Sequence, residues 1–292
     1  MENSAILSEV ERILSTHFQD QTEVKSLETK GGGSINSAAT ARTDKGNFFV
    51  KWNSLNSHTG MFEAEMKGLQ LLSSAGVIKV PSPLGTGHTP EHTLIVMELL
   101  ESGDTEFDFW EVFGSSMAHL HRNTHTNFGL DHHNFVGSLP QTNTFCKTWT
   151  EFFITNRIEP QLKRAIDQGK ADAALHNKFD HLFGRLDEIF PHEAPALLHG
   201  DLWGGNFMCT ISGQPAIYDP AVYYGHREMD LAMSKLFGGF DYEFYEAYHT
   251  EFPLEKDWEK RSDICNLYPL LVHVNLFMGS YIQSVKNILS RY

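Results

Sequence analysis

The sequence has 292 residues, 41% hydrophobic and 21% charged, ordinary values for a globular chain long enough to build two lobes with cores of their own. Its formal net charge of −14 sets up a field that repels phosphate backbones and anionic membrane surfaces, so nucleic-acid and membrane partners are discounted. Three scattered cysteines without a CxxC, a polar acidic start with no apolar signal core, and no apolar run of about 20 residues point to reduced thiols in a soluble, cytoplasmic protein.

Ile6, Val10, Ile13, Leu14 and Phe18 recur at helical spacing and predict a helix over 4–18. Gly31-Gly32-Gly33 then breaks the chain, and Asp44-Lys45-Gly46-Asn47 is a turn signal before the strand-prone Phe48-Phe49-Val50-Lys51-Trp52. Residues 24–52 read as strands folded around the glycine loop and this turn. Residues 60–73 read as a helix, Leu94-Ile95-Val96-Met97 as a buried strand, and Glu98 to Gly103 as a connector. Beyond it the pattern is mainly helical: Trp110, Phe113, Met117 and Leu120 mark one face, and Phe152 to Ile166, Leu182 to Ile189, Met229 to Phe237 and Ile264 to Leu289 read as further helices. The exception is 197–219, where Leu197-Leu198 enters a glycine-rich loop and two short extended pieces follow. The expected organisation is α+β, with a small β-rich N-terminal lobe (1–100), a hinge, and a larger, mainly helical C-terminal lobe (101–292). A nucleotide would lie in the cleft between them.

The chemistry concentrates in His199-Gly200-Asp201-Leu202-Trp203-Gly204-Gly205-Asn206, followed by Asp219 after Ala216-Ile217-Tyr218. Phosphoryl transfer needs positioned phosphates, metal ions that neutralise them, and an acceptor for the hydroxyl proton. Kinases supply these as HRDLxxxN followed by an Asp after a strand, and His199, Asp201, Leu202, Asn206 and Asp219 fall at the matching places, with Gly200 in place of the arginine. Asp201 is the candidate base. Asn206 and Asp219 offer the hard oxygen ligands that Mg²⁺ prefers.

Lys51 forms a second constellation with Glu65. On the 60–73 helix Glu65 shares a face with Met61, Phe62 and Leu69, whereas Glu63 falls with Lys67 and Gln70. An inward carboxylate is costly unless paired, and Lys51 is its natural partner, the pair then holding ATP phosphates. Gly32-Gly33-Ser34-Ile35-Asn36 lacks the GK[ST] of a P-loop but suits a phosphate-covering loop, since glycines let backbone N–H groups approach closely. The hinge near Glu98 to Leu100 is the place for adenine contacts. His119, His121, His125, His132 and His133 lie close in sequence, yet without HExxH or Cys/His spacing they read as scattered surface and helix histidines, not as a metal site.

With these residues in view, the chain resembles the fructosamine kinase (ketosamine-3-kinase) family. That family shares the two-lobed protein-kinase-like fold of aminoglycoside phosphotransferases and choline kinases. The resemblance runs nearly the full length. It rests on the HGDLW segment from His199 with Asn206, on Asp219-Pro220-Ala221, on Arg227-Glu228-Met229-Asp230-Leu231-Ala232-Met233, on Phe128-Gly129 with Asn134, Gly137, Gln141 and Asn143, and on the glycine loop. It implies transfer of phosphate from ATP, with Mg²⁺, to the sugar 3-hydroxyl of a ketosamine or glycated lysine. The adduct then releases the free amine, a repair of glycation. Ser34 stands where some members carry a redox-active cysteine, so that switch is not carried over. Trp203 either flanks the acceptor or packs in the core. His199 and Asp230 are expected to support the loop, and Asn134, Gln141 and Asn143 either to contact the acceptor or to order their loop. The alternatives are a phosphotransferase for an aminoglycoside or amino alcohol, and a non-catalytic nucleotide-binding pseudokinase.

Overall fold

A computed structural model of the protein describes residues 2–30, 36–55, 60–277 and 279–292. The chain divides into two units, Met1–Glu106 with Met208–Asp219 and Phe107–Phe207 with Pro220–Tyr292. The first unit is therefore discontinuous, whereas the sequence pattern suggested one break near residue 100.

The first unit opens with α1 (Glu2–Phe18), β1 (Val24–Lys30), β2 (Ser37–Thr43), β3 (Gly46–Ser54), α2 (Met61–Ser74), β4 (Pro83–His88) and β5 (His92–Glu98). Its five strands form an antiparallel sheet in the order β1-β2-β3-β5-β4. Ala39, Ala41, Val50, Trp52, Leu94 and Val96 join Ile6, Val10, Ile13 and Leu14 of α1 in one apolar cluster. Burying each large side chain contributes about 1.5–3 kcal/mol, which fixes the strand register. A slip by one residue would turn Lys51 into this cluster and expel Val50 and Trp52. The helix lies so close to β4 that a Cβ on Gly85 would sit 2.8 Å from the Ile13 side chain. Glycines at 85 and 87 also explain why β4 shows no strand signal in the sequence.

The second unit contains α3 (Phe109–His121), the hairpin β6 (Asn134–Val136) and β7 (Leu139–Gln141), α4 (Trp149–Phe152), a π-helical turn (Phe153–Ile158), α5 (Glu159–Asp167), α6 (Ala173–Phe183), α7 (Leu186–Ile189) and β8 (Ala196–Leu198). Next come β9 (Phe207–Cys209) and β10 (Pro215–Ile217), paired with each other and largely returned to the first unit, then β11 (Tyr223–Gly225), paired with β8. The chain closes with α8 (Glu228–Leu236), α9 (Tyr242–Glu251), α10 (Trp258–Cys265), α11 (Leu267–Leu276) and α12 (Tyr281–Leu289).

The single helix expected from Ile264 to Leu289 is thus three pieces. Pro269 lies in the first turn of α11, where a proline is tolerated but could not continue α10. The helix expected from Leu182 to Ile189 is likewise split, α6 ending at Phe183 with Gly184 as its cap. The β6–β7 hairpin, turning at Gly137 with φ of 56°, and the aromatic and acidic α9 were not foreseen.

Residues 208–219 are tied into the first unit by backbone bonds. Gly103 N–H donates to Cys209 O at 2.9 Å, Ile211 N–H to Glu101 O at 2.9 Å, and Ile217 N–H to Lys79 O at 3.0 Å. All three cysteines are buried and free. Among the described residues no helix is long and apolar enough to cross a membrane, and no three or more histidine, cysteine, aspartate or glutamate side chains are grouped so as to hold a metal ion.

Candidate active site

In the first unit the structure brings Lys51, Glu65 and Asp219 together. Alternation along β3 turns Lys51 away from the face covered by α1. Its Nζ donates to Glu65 Oε1 and to Asp219 Oδ1, both at 2.8 Å. The side chains of Lys51 and Glu65 are 7% and 9% exposed, and that of Asp219 is 44% exposed. Burial alone would strip the Lys51 proton, but the two carboxylates outweigh it and hold the ammonium well above its ordinary value. Glu65 is raised as well, for a different reason. Burial pushes its carboxyl up, and Asp219 adds a like charge that a shared ammonium does not fully offset. Asp219 itself has φ of 56°, a left-handed backbone uncommon outside glycine, which aims its carboxylate directly after β10. Glu63 is exposed on the outer face of α2, as its spacing required.

Other expected nucleotide contacts fare differently. Gly32, Gly33, Ser34 and Ile35 lie outside the described residues. Asn36 is within them and accepts a hydrogen bond from Asn53 Nδ2 at 2.9 Å, which anchors the loop's exit to β3. Glu98 is engaged within the first unit. Its carboxylate is held by Lys79 Nζ at 2.7 and 2.8 Å and by Ser82 N–H at 3.1 Å, and its own N–H donates to Ser82 O at 2.8 Å. Its carboxylate and N–H are thus both held within this unit. Leu100 is half-buried in the connector that follows.

The second unit holds His199, Asp201, Asn206 and Asp230 together. Asp230 projects from α8 with both carboxylate oxygens on the loop backbone. His199 N–H donates to Oδ2 at 2.7 Å and Gly200 N–H to Oδ1 at 2.9 Å. Asp201 N–H reaches His199 Nδ1 at 3.3 Å. Asn206 Nδ2 donates to Asp201 O at 2.9 Å and to Asp201 Oδ2 at 3.0 Å, so the amide orients the carboxylate. Gly200, at φ of 82°, packs so tightly that a Cβ would lie 2.0 Å from Ala221 O. No other residue fits there without moving the loop. Trp203 is 40% exposed, its ring edge-on to Phe237 and lying over Gly205, so the core-packing alternative for it is excluded. Beside Asp201 opens a concavity with Asp230 and Tyr223 in its lining and apolar walls from Met233, Val272 and Tyr268.

Asn134, Gln141 and Asn143 do not reach a surface, which corrects their reading as acceptor contacts. They are 5%, 1% and 0% exposed. Asn134 Nδ2 donates to Val222 O at 2.8 Å, and Gln141 Nε2 to Ala221 O at 3.0 Å and Asn134 Oδ1 at 2.8 Å. Asn143 Nδ2 donates to Asn134 Oδ1 at 2.7 Å. These bonds fasten the backbone that packs against Gly200. Two supporting residues escaped the sequence reading. Arg157 is fully buried in the π-helical turn, donating to Asn143 Oδ1 at 2.8 Å, its guanidinium 3.8 Å from the Tyr223 ring centroid. Tyr268 donates its hydroxyl to Gln141 Oε1 at 2.7 Å. Neither belongs to a spaced motif. An arginine between two apolar runs was the one available signal, and it also fits a surface residue.

Residues 6–292 match the family model described as fructosamine kinase. The chain is 38% identical over 276 residues to the chloroplastic protein-ribulosamine 3-kinase of Arabidopsis thaliana, a match covering 93% of this chain and 83% of that one. It is 36% identical to the ketosamine-3-kinase of Mus musculus, covering 92% and 95% of the two chains. A crystal structure from Haemophilus somnus assigned to fructosamine-3-kinase superposes with a TM-score of 0.88 at 28% identity, covering 97% of this chain and 96% of that one. The aminoglycoside phosphotransferase APH(4)-Ia, in its ternary complex with ADP and hygromycin B, shares the fold at a TM-score of 0.62 and 16% identity.

Proposed function

The chain belongs to the fructosamine kinase family, and from that premise we propose that it transfers the γ-phosphoryl group of ATP to the sugar 3-hydroxyl of a ketosamine. The observation that carries this reading is the Asp201 loop, whose carboxylate is oriented by Asn206 and whose backbone is pinned by Asp230. Asp201 accepts the hydroxyl proton as the sugar oxygen bonds to phosphorus and the bond to the ADP oxygen breaks. Lys51, kept charged by Glu65 and Asp219, takes the nucleotide phosphates.

The donors present suit Mg²⁺. Asn206 spends its amide nitrogen on Asp201, which leaves Oδ1 as a neutral oxygen, and the half-exposed Asp219 keeps a second carboxylate oxygen besides the one on Lys51. When bound, the ion supplies charge neutralisation at the phosphates. The open face of Trp203 suits the acceptor's ammonium. The 3-phosphorylated adduct then breaks down to the free amine, which makes the reaction a repair of glycated amines, whether glycated lysine or a smaller ketosamine.

The test is one acceptor screen. Purified protein with ATP and Mg²⁺ is offered fructosyl-lysine, ribulosyl-lysine, an aminoglycoside and choline, with ADP release measured and the phosphate located by NMR. The two ketosamines are expected to turn over and to carry phosphate on the sugar 3-position. Turnover of the aminoglycoside or choline alone overturns the assignment.

A further inference from the structure

Behind the catalytic loop a line of buried side chains runs from α9 through α3 to α8. Tyr248, His121 and Asp230 are 0%, 0% and 1% exposed. His121 Nδ1 lies 2.7 Å from Tyr248 Oη, and His121 Nε2 lies 3.2 Å from Asp230 Oδ2. It differs from its neighbour His119, which sits at the surface 3.6 Å from an equally exposed Glu251.

The direction of these bonds follows from the donors. Burial pushes the Tyr248 phenol far up, outweighing the nearby Arg227 cation, so it remains an O–H. Asp230 already accepts two backbone N–H bonds as a carboxylate. The Tyr248 hydroxyl therefore donates to Nδ1, which places the imidazole proton on Nε2, where it donates to Asp230 Oδ2. Asp230 is then a fully buried anion met by three N–H donors, two from the catalytic loop and one from His121. Oδ2 takes both the His199 N–H and the His121 N–H, so the imidazole fixes the rotation of the carboxylate from which the loop backbone hangs.

We propose that His121 is a positioning residue for phosphoryl transfer: its Nε2 proton holds the Asp230 carboxylate in the rotation that accepts from both His199 and Gly200, and so keeps the loop, and with it Asp201, in place. The kinetic part of this rests on the proposed ketosamine kinase activity; the structural part does not.

Two substitutions separate the two ring nitrogens. His121→Asn keeps an acceptor near the Nδ1 position for Tyr248 but falls short of Asp230. His121→Gln places its amide nitrogen near the Nε2 position and restores the donor. Thermal melts check that both variants fold. In the full chain, His121→Asn is expected to lower kcat for the ketosamine about tenfold to a hundredfold, the scale of a slight misplacement of a reacting group, with the KM for ATP unchanged. Its His199 and Gly200 amides should also lose protection from hydrogen exchange. His121→Gln should stay close to the native protein in both readouts. Equal kcat and equal amide protection in the two variants would overturn the proposal. If the native protein phosphorylates no ketosamine, the functional reading fails, while the exchange measurement still decides the role of His121.

Discussion

The two units hold their reactive groups by opposite means. In the first, Lys51 is gripped by charge, with one ammonium between the carboxylates of Glu65 and Asp219. In the second, the carboxylates of Asp201 and Asp230 are gripped by N–H donors from Asn206, His199 and Gly200. The difference has consequences. The charged cluster is short of one positive charge, and the deficit falls on its exposed member, Asp219, where a divalent cation has access. The catalytic loop is geometrically over-determined, because each of its donors is fixed by backbone or by buried packing. Damage to the first should therefore appear in stability and nucleotide affinity, and damage to the second in rate.

The sharpest way to break this contrast is at Asp201. Asp201→Asn removes the proton acceptor but leaves an oxygen for the Asn206 amide, so the loop should keep its shape. Turnover should fall about 10²–10⁴-fold, the usual loss on removing a general base, while ATP affinity measured by calorimetry stays put. Full turnover would remove Asp201 from the chemistry.

Lys51 tests the other side. Lys51→Met strands the buried Glu65 carboxylate, and removing one partner of a buried pair costs about 3 kcal/mol or more. The melting temperature should drop and ATP binding should be lost. Adding Glu65→Leu should recover part of the stability and none of the binding, because the stranded charge is gone but the phosphate ligand is not restored. A Lys51→Met variant with native stability would mean that the cluster's charges are effectively solvated.

What the sequence made legible follows the same division. Lys51 and Glu65 could be paired before any coordinates because strand alternation and helix spacing each leave one inward charge, and the two must meet. Asp201, Asn206 and Asp219 were visible because their spacing is fixed by one loop and one hairpin. The role of Asn134, Gln141 and Asn143 was not, since a polar residue in a short hairpin reads alike whether it faces a ligand or fastens backbone. His121, Arg157 and Tyr268 were beyond reach for a related reason. Each acts through partners distant in sequence, such as Tyr248 and Asp230 for His121. The bonds of Glu98 to Lys79 and Ser82 were equally out of reach, because a hinge position predicts where a residue lies and not its partners.

The smallest expected effect is the one that shows what the buried hairpin contributes. Gln141 donates to Ala221 O and Asn134 Oδ1 and accepts from Tyr268. Gln141→Leu fills most of the same space but leaves those partners unsatisfied, a loss of about 2 kcal/mol that a melting curve reads directly. Gln141→Glu is closer in shape and still accepts from Tyr268, yet its ionised form has no hydrogen to give to Ala221 or Asn134 and places a charge where the native side chain is 1% exposed. If the hairpin works by donating hydrogen bonds to the backbone against Gly200, the isosteric Glu variant must be the less stable of the two at neutral pH and must recover as the pH falls and the carboxyl takes up a proton. If it works only by filling volume, Gln141→Leu will keep close to native stability.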